Sequence, residues 1–307
     1  MNINMVDEIE KADLITHSGT FHADEVFATV TLYYALGEKH INIIRCAKID
    51  GAKENAIIYD IGGGEFDHHQ LGGNGKRKDG VSYASFGLIW KKYGKKFLKQ
   101  IGIEKELIDE ELKIIDKKIV EGIDAIDNGE VEITSSPKID IKTISDLIGI
   151  FNSRWDEDGM QDEHFKEAVD FANIVLTKTA KLVDAKLKAR SYVEDAIEKS
   201  HDRILVLNKF MPWKEWLLYS ENPKAKDILY VVYPSNRGGY NAYTVPLSLN
   251  TFENRKSFPV NWSGLRGKEL EKVTGVKTAT FCHNACFICG AETFDDIMKL
   301  AKKAVEN

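Results

Sequence analysis

The sequence predicts an α/β domain, with a largely parallel sheet flanked by helices, followed by a smaller α+β domain. Strand-like runs alternate with helical patterns through the first part of the chain, and this alternation is typical of parallel sheets. Short strand-like runs then dominate, and two helical patterns lie among and after them. Because 307 residues fit two domains better than one, we predict domains at 1–200 and 201–307.

Hydrophobic periodicity places the elements of the first domain. The predicted strands are 13–18, 41–46 and 56–61. The predicted helices are one that begins at Ala23, one at 82–93 capped by Ser82, a longer one at 108–126, a short one at 143–151 and a highly charged one at 161–199. The charged helix leads out of the first domain.

The second domain is predicted from shorter runs. Its strands are 204–207, 228–233, 240–247, 278–281 and 286–290, and its helices are 268–273 and 294–305. Cys282, Cys286 and Cys289 form a C-x3-C-x2-C pattern near the end. We favour buried small hydrophobic residues on two adjacent strands over a zinc site completed by His283.

Composition indicates an ordinary globular protein, with 43% hydrophobic and 29% charged residues. The net charge of -6 argues against a protein that coats nucleic acid through bulk electrostatics. Charged residues interrupt the amino-terminal apolar residues, and no run approaches the length of a membrane span, so we expect a cytoplasmic protein without a membrane partner. A homodimer is compatible with the sequence.

The segment from Asp60 to His69 carries the strongest chemical signal. The β-favouring residues before Asp60 indicate a buried strand that ends at this acid, and a glycine-rich turn then leads into Asp67-His68-His69. Carboxylates and imidazoles on a tight turn are typical of a divalent metal site. A polar surface turn is the less favoured alternative, because surface loops seldom need two adjacent imidazoles.

A second group of candidate ligands lies where the first strand ends and the first helix begins. His17, His22 and Asp24 stand where open α/β sheets place their ligands. Asp24 and Glu25 also suit the positive end of the helix dipole, which is the structural alternative. We favour metal ligation for all three members of this group.

Two further acids end the helix predicted at 108–126. Asp127 follows Ile123 by four residues and so shares its buried face, where a carboxylate without a partner is costly. We therefore favour metal ligation for Asp127 and a structural hydrogen bond for Asp124.

Together these candidates exceed what one ion requires, and two ions bridged by Asp60 account for them better. Mixed imidazole and carboxylate ligands favour Mn²⁺, with Mg²⁺, iron, cobalt or zinc as alternatives. A paired centre lowers the pKa of a bridging water and neutralises a phosphoryl oxygen, which suits hydrolysis of a phosphate ester or anhydride.

Basic residues suggest substrate contacts. Lys76, Arg77 and Lys78 are either solvated loop charge or part of a flap that reaches toward an anionic substrate. Guanidinium groups in loops of the second domain suit phosphate, although ordinary surface charge is an equal alternative.

The segments H-S-G-T-F-H-A-D-E at 17–25 and D-I-G-G-G-E-F-D-H-H-Q at 60–70 resemble the MYG exonuclease family, a distant branch of the DHH phosphoesterase superfamily. I-D-A-I-D-N-G, F-E-N-R, G-L-R and F-C-H further along resemble the same family, so the likeness covers nearly the whole chain. The resemblance implies a DHH-type catalytic domain with a dinuclear manganese site, and a second domain that grips substrate.

The resemblance also implies a role for each candidate residue. One ion would be held by His17, His22 and Asp60. The other would be held by Asp24, Asp60, His68 and Asp127. His69 would face the scissile phosphate, with Asp67 orienting the histidine pair. The implied phosphate contacts from the second domain are Arg255, Arg266 and His283.

Members of the family are described both as RNA exonucleases and as metal-dependent protein hydrolases, and the predicted site favours phosphate chemistry. Our first hypothesis is a metal-dependent phosphodiesterase acting on RNA or short oligonucleotides from the 3′ end. One alternative is hydrolysis of a small nucleotide or pyrophosphate, which suits the acidic net charge. A third is a non-catalytic nucleic-acid-binding protein whose metal site only stabilises the fold.

Overall fold

A computed structural model describes residues 1–38, 40–134, 136–137 and 139–307. The chain divides into two compact units, which we call unit 1, Met1–Asp184, and unit 2, Ala185–Asn307. The predicted α/β class is confirmed, since unit 1 contains a parallel sheet flanked by helices and unit 2 contains a mixed sheet. The boundary between the units falls within the long helix predicted at 161–199.

The sheet of unit 1 has four strands in the order β1-β3-β2-β4, and every neighbouring pair is parallel. The strands are β1 Ile3–Met5, β2 Leu14–His17, β3 Ile41–Cys46 and β4 Ile57–Ile58. Sequence analysis missed β1, because three residues are too few to show a period. Since parallel strands end at the same edge of a sheet, His17 and the residues that follow β4 are brought together.

Among the described residues, six helices flank this sheet, and the last of them continues into unit 2. They are α1 Ala23–Leu36, α2 Ser85–Gln100, α3 Ile108–Ile115, α4 Glu121–Asp127, α5 Ile144–Gly149 and α6 Gln161–Glu198. A π-helical turn, Asp116–Val120, joins α3 to α4, and such turns are frequent at functional sites. Ser82 does not cap α2 as predicted, because its hydroxyl and backbone N–H both donate to Glu130 instead.

Helix α1 is the central helix of unit 1. All residues from Ala23 to Leu32 are buried, so the helix has no solvent face along its first turns. The carboxylates of Asp24 and Glu25 therefore lie in the interior, where each needs a compensating partner.

Unit 2 has a five-stranded sheet in the order β5-β6-β7-β9-β8, with only the β5–β6 pair parallel. The strands are β5 Ile204–Val206, β6 Tyr230–Pro234, β7 Tyr240–Thr244, β8 Ala279–Cys282 and β9 Ile288–Ala291. The helices are α7 Lys214–Leu218, which was not predicted, α8 Gly267–Thr274 and α9 Phe294–Glu306. No helix in the described part of the chain is long and apolar enough to cross a bilayer.

The three clustered cysteines lie in the core of unit 2. Cys282 on β8 pairs in register with Cys289 on β9, and Cys286 precedes β9. All three are buried free thiols among apolar side chains. Among the described residues, no group of potential metal ligands includes a cysteine.

Candidate metal centre

Asp60 follows β4 on a strained turn. Its φ of 57° lies in the left-handed region, which a residue other than glycine seldom adopts. The turn closes through the Asp60 N–H, which donates to the Phe66 carbonyl at 2.9 Å. Gly62 has a φ of 90°, which side-chain-bearing residues rarely adopt, so the tight path of this turn depends on glycine there. The result is a buried carboxylate at the edge where the parallel strands end.

The two oxygens of Asp60 face different histidines. Oδ2 lies 3.3 Å from His17 Nε2, and Oδ1 lies 3.3 Å from His68 Nδ1. The hydroxyl of Ser85 also donates to Oδ1, at 2.9 Å. Burial raises the pKa of Asp60, but the hydrogen bonds from both histidines outweigh it and hold the pKa below its usual range. Asp60 therefore stays ionised and lies between two groups of potential ligands.

The first group is centred on His17, the last residue of β2. Its Nε2 lies 3.1 Å from Glu25 Oε1 in addition to its contact with Asp60. Hydrogen bonds to Asp60 and to Glu25 raise the pKa of His17 to about 10. The exposed His22 ring stands beside it, with the two ring centroids 6.0 Å apart.

The second group is centred on His68. Its Nε2 lies 3.0 Å from Asp127 Oδ2 at the end of α4, and its Nδ1 lies 3.9 Å from Asp24 Oδ2. Burial lowers the pKa of His68, yet the hydrogen bonds to Asp127 and Asp60 prevail and raise it to about 10. In this arrangement both ring nitrogens of His68 point at carboxylates.

The Asp24 carboxylate is buried without a hydrogen-bond donor in the described part of the chain. Its carboxylate is fully buried, and no described residue donates a hydrogen bond to either oxygen. Burial and the negative charges of Asp60 and Glu25 raise the pKa of Asp24 well above its usual range. Since buried carboxylates are normally paired or bound to metal, this group has the character of a ligand.

His69 is held mainly by the buried Asp67, and its Nδ1 also lies 3.4 Å from Asp60 Oδ1. Asp67 Oδ1 accepts the backbone N–H of His69 at 2.9 Å and lies 3.0 Å from its Nδ1. An ionised carboxylate can only accept, so Nδ1 carries the proton. Asp67 Oδ2 is fixed in turn by the Gly63 N–H at 2.6 Å. The His69 side chain is 59% exposed, and its Nε2 is the nitrogen left for a ligand or substrate.

The donor set fits divalent metal. Among the described residues, four overlapping groups offer ligand atoms that lie within 4.8 Å of one another inside each group: Asp60, Asp67, His68 and His69; His17, His22 and Glu25; His22, Asp24 and Asp127; and Asp24, Glu25 and Asp60. Neutral imidazoles and carboxylates in this number suit hard or borderline cations. A cation would also give the oxygens of Asp24 the partner that they lack.

Comparison with known proteins identifies the family. The model of the MYG1 exonuclease family, described as uncharacterised protein family UPF0160, matches residues 13–305. A MYG1 protein of Caenorhabditis elegans is 31% identical over 95% of this chain and 94% of its own. A MYG1 protein of Dictyostelium discoideum is also 31% identical, over 95% and 96%.

The chain belongs to the MYG1 family. A human relative named MYG1 exonuclease is 27% identical over 94% of this chain and 84% of its own. No solved structure matches the chain significantly.

The fold of this MYG1-family chain brings all of the ligands predicted for unit 1 to one place. His17, His22, Asp24, Asp60, His68 and Asp127 each belong to at least one of the four overlapping groups. Their assignment to particular ions stays a prediction. Asp124 differs, because Gly87 N–H donates to its Oδ1 at 3.0 Å, which is the structural role favoured for it.

Glu25 and Ser85 at the MYG1 centre were not named as site residues by sequence analysis. Glu25 stands three residues after His22, and both of its oxygens accept the His22 backbone N–H at 2.9 Å. This is the spacing of a helix capping box, a signal that would have marked Glu25 as fixed beside His22. Ser85, which bonds to Asp60, comes from the first turn of α2 and has no local signature.

The basic loop differs from both interpretations of the sequence. Arg77 is buried, and its guanidinium makes two hydrogen bonds to Asp116, from Nε at 3.0 Å and from Nη2 at 2.8 Å. It also stacks over the Tyr83 ring at 4.5 Å. Arg77 is therefore neither solvated loop charge nor part of a flap, whereas Lys76 and Lys78 are exposed.

The three phosphate contacts predicted for unit 2 have different surroundings. Arg255 Nη1 donates to the carbonyls of Ala225, at 2.6 Å, and Ile228, at 2.9 Å, which gives this arginine a structural role in unit 2. Arg266 is exposed just before α8. His283 is exposed as well, and its Nδ1 accepts the Ala285 N–H at 3.1 Å, so Nε2 is free to face solvent. Their contact with phosphate stays a prediction.

Proposed function

We propose that this protein is a metal-dependent phosphodiesterase that removes nucleotides from RNA or short oligonucleotides, acting from the 3′ end. The observation that carries the proposal is the placement of Asp60, whose two oxygens lie 3.3 Å from His17 and from His68. A carboxylate between two ligand groups is the arrangement that a pair of metal ions requires. The names of the mammalian relatives, MYG1 exonuclease, support this direction.

Two Mn²⁺ ions fit the donor set best, because mixed imidazole and carboxylate ligands suit manganese. His17, His22 and Asp60 would hold one ion. Asp24, Asp60, His68 and Asp127 would hold the other. Divalent ions at such a centre activate water at neutral pH and neutralise charge on the phosphoryl oxygens.

The residues of the chain perform the remaining tasks. Glu25 and Ser85 fix His17 and Asp60, so that the ligands are positioned before substrate arrives. Asp67 holds the Nδ1 proton of His69, which directs Nε2 outward toward the scissile phosphate. Arg255, Arg266 and His283 are the candidate phosphate contacts in unit 2.

The test compares wild type with Asp60→Asn in the presence of Mn²⁺. Asparagine tolerates a positive φ and keeps an oxygen for the Ser85 hydroxyl, so this variant removes charge with little change in the turn. Three labelled substrates are needed: an oligoribonucleotide, a dinucleotide and pyrophosphate. We expect wild type to shorten the oligoribonucleotide from its 3′ end and the variant to lose at least about a hundredfold in kcat/KM.

Asp202→Asn is the matched control. Asp202 also has a positive φ, of 54°, but it is exposed and pairs with Lys302. Its substitution should leave the activity unchanged. Cleavage of pyrophosphate or the dinucleotide alone would exclude the exonuclease and support the small-substrate alternative. Activity on none of the three substrates would leave a non-catalytic binding protein.

A further inference from the structure

A second cavity adjoins the metal centre and has no assigned role. It has a volume of about 250 Å³ and lies between the start of α1, the end of α4 and helix α5. Phe21 and Ile126 contribute apolar walls, and Ser145 contributes a hydroxyl. Such a mixed lining suits a group with flat apolar faces and a few polar atoms.

This cavity, which we call the α5 cavity, meets the metal centre at two histidines. His22 and His69 line it together with Asp127. The same two histidines line the cavity of about 320 Å³ that contains His17 and Asp60. A phosphate held at His22 and His69 would therefore have open space on both sides.

Side-chain amides fix the wall of the α5 cavity to the segment between β2 and α1. Asn152, shortly after α5, accepts the Phe21 N–H through Oδ1 and donates to the Phe21 carbonyl through Nδ2, both at 2.9 Å. Gln161 then donates to Asn152 Oδ1 at 2.7 Å and to the Gly19 carbonyl at 3.0 Å. This hydrogen-bond network fixes the position of α5 relative to His22, so the shape of the cavity is set by the fold of unit 1.

We propose that the α5 cavity binds the terminal nucleoside of the substrate while its phosphate lies at His22 and His69. Its volume, about 250 Å³, is below the range of roughly 300–1,000 Å³ found for larger ligands, so it suits a single nucleoside better than several. A site that admits one terminal unit restricts cleavage to chain ends. The inference rests on the proposed function and specifies the position at which it recognises its substrate.

Gly149 provides a direct test. It lines the cavity, and a Cβ built on it meets no atom within 4 Å. Its φ is not in the left-handed region, so a side chain can be added without backbone strain. Leucine at this position would narrow the cavity while leaving the metal ligands untouched. Ser145 lies four residues earlier on the same face of α5, so Ser145→Leu obstructs the cavity independently.

The measurement is calorimetric binding of adenosine 5′-monophosphate and of inorganic phosphate to the Mn²⁺-loaded protein. We expect wild type to bind the mononucleotide at least about tenfold more tightly than phosphate. Gly149→Leu and Ser145→Leu should remove that preference and leave the affinities for phosphate and Mn²⁺ unchanged. Gly122→Leu is the matched control, since a Cβ on this α4 glycine also meets nothing within 4 Å, and Gly122 does not line the cavity.

The outcomes separate this inference from the proposed function. Equal binding of mononucleotide and phosphate by wild type, or a preference that survives in both leucine variants, overturns the inference, even if the oligoribonucleotide is cleaved. A parallel loss of both ligands also overturns it, because the cavity would then not act apart from the centre. If wild type cleaves no oligoribonucleotide but the preference is present and is lost in the variants, the proposed function fails, while the role of the α5 cavity in binding a mononucleotide stands.

Discussion

The Arg77 guanidinium and the Asp124 carboxylate lie 2.8 Å apart, and both side chains are buried. Arg77 belongs to the loop that follows His68 and His69, and Asp124 precedes the predicted ligand Asp127 by one helical turn. A Cβ on Gly87 in α2 would lie 1.9 Å from Asp124 Oδ2. The ion pair therefore joins the loop to α4, and α2 packs closely against it. These contacts set the position of His68 relative to Asp127.

Removal of the Arg77 guanidinium should weaken the contact between the loop and α4. Arg77→Met keeps most of the side-chain volume but leaves Asp124 buried without its charge partner. We expect a loss of about 3–5 kcal/mol in the free energy of unfolding, the usual result of breaking a buried pair. We also expect weaker Mn²⁺ binding, because the distance from His68 to Asp127 is no longer fixed. Chemical denaturation and calorimetry measure the two effects.

Arg154→Met is the control for that variant. Arg154 pairs with Asp156 at 2.9 Å, but its side chain is 69% exposed. Substitution there should change stability by no more than about 0.5 kcal/mol. An Arg77 variant as stable as this control would contradict the structural role of the pair.

Asp24 allows the opposite prediction for stability. Because its carboxyl group is buried and no described residue donates a hydrogen bond to it, the metal-free chain bears a free-energy cost, either for burying the charge or for keeping the group protonated. Asp24→Asn should therefore stabilise the metal-free protein by about 1–2 kcal/mol and weaken Mn²⁺ binding at least about a hundredfold. Unfolding in a chelator and calorimetry with Mn²⁺ test the two parts.

The matched control is Asp195→Asn, an exposed position in α6 that pairs with Lys199 at 2.7 Å. It should change neither quantity. A less stable Asp24→Asn protein in chelator would mean that the carboxylate already has a partner in the fold, and the ligand role would lose its main physical support.

Much of unit 1 could be predicted from periodicity and from the rule that parallel strands end at one edge. That rule groups His17 with Asp60, although 43 residues separate them in the sequence. Helix α1 was predicted to start at Ala23, and it does. The predicted start of α2 at Ser82 was wrong, since the helix begins at Ser85. Ser82 is a good cap by residue type, but its hydroxyl donates to Glu130 from a distant part of the chain.

What remained hidden depends on tertiary contacts. The role of Ser85 requires α2 to bring it to Asp60, and nothing in its neighbourhood indicates that. Arg77 was interpreted as loop charge or part of a flap because it stands between two lysines, whereas its partners are Asp116 in the π-helical turn and Asp124 in α4. In both cases the partner lies on another element, so local pattern carries no signal.

Metal binding should release protons. The pKa of His17 and that of His68 are each raised from 6.5 to about 10, the first by Asp60 and Glu25, the second by Asp127 and Asp60 against the effect of burial. Metal ligation needs neutral imidazole, so Mn²⁺ must displace these protons below pH 10. Apparent affinity should rise with pH by up to about tenfold per unit for each proton released. Calorimetry in buffers of different ionisation heat counts the protons.

The same pKa shifts determine how the stability of the metal-free protein depends on pH. A histidine whose pKa rises on folding stabilises the folded state fully below 6.5 and loses that contribution as pH rises through about 10. The Tm in chelator should therefore fall between pH 6.5 and 10. His17→Gln should flatten this slope, whereas substitution of the exposed His201 should not. A Tm independent of pH in this window would rule out the protonated pair.

Asp67 should govern catalysis without governing metal affinity. Its Oδ1 accepts both the backbone N–H and the Nδ1 of His69, and its Oδ2 accepts the Gly63 N–H at 2.6 Å. Asp67→Asn presents an N–H in place of one acceptor, so His69 can lose its fixed tautomer and orientation. We expect kcat on the oligoribonucleotide to fall by about ten- to a hundredfold. Mn²⁺ affinity and Tm should change little, because Asp60 and His68 keep their partners.

His69→Ala supplies the comparison in the same background. If Asp67 acts only through His69, the double variant should be no slower than His69→Ala alone, since the two effects are then not additive. Steady-state kinetics of the four proteins give this coupling directly. A double variant slowed by the product of the single effects would show that Asp67 acts on the metal centre itself, as its place among the potential ligands with Asp60 and His68 also allows.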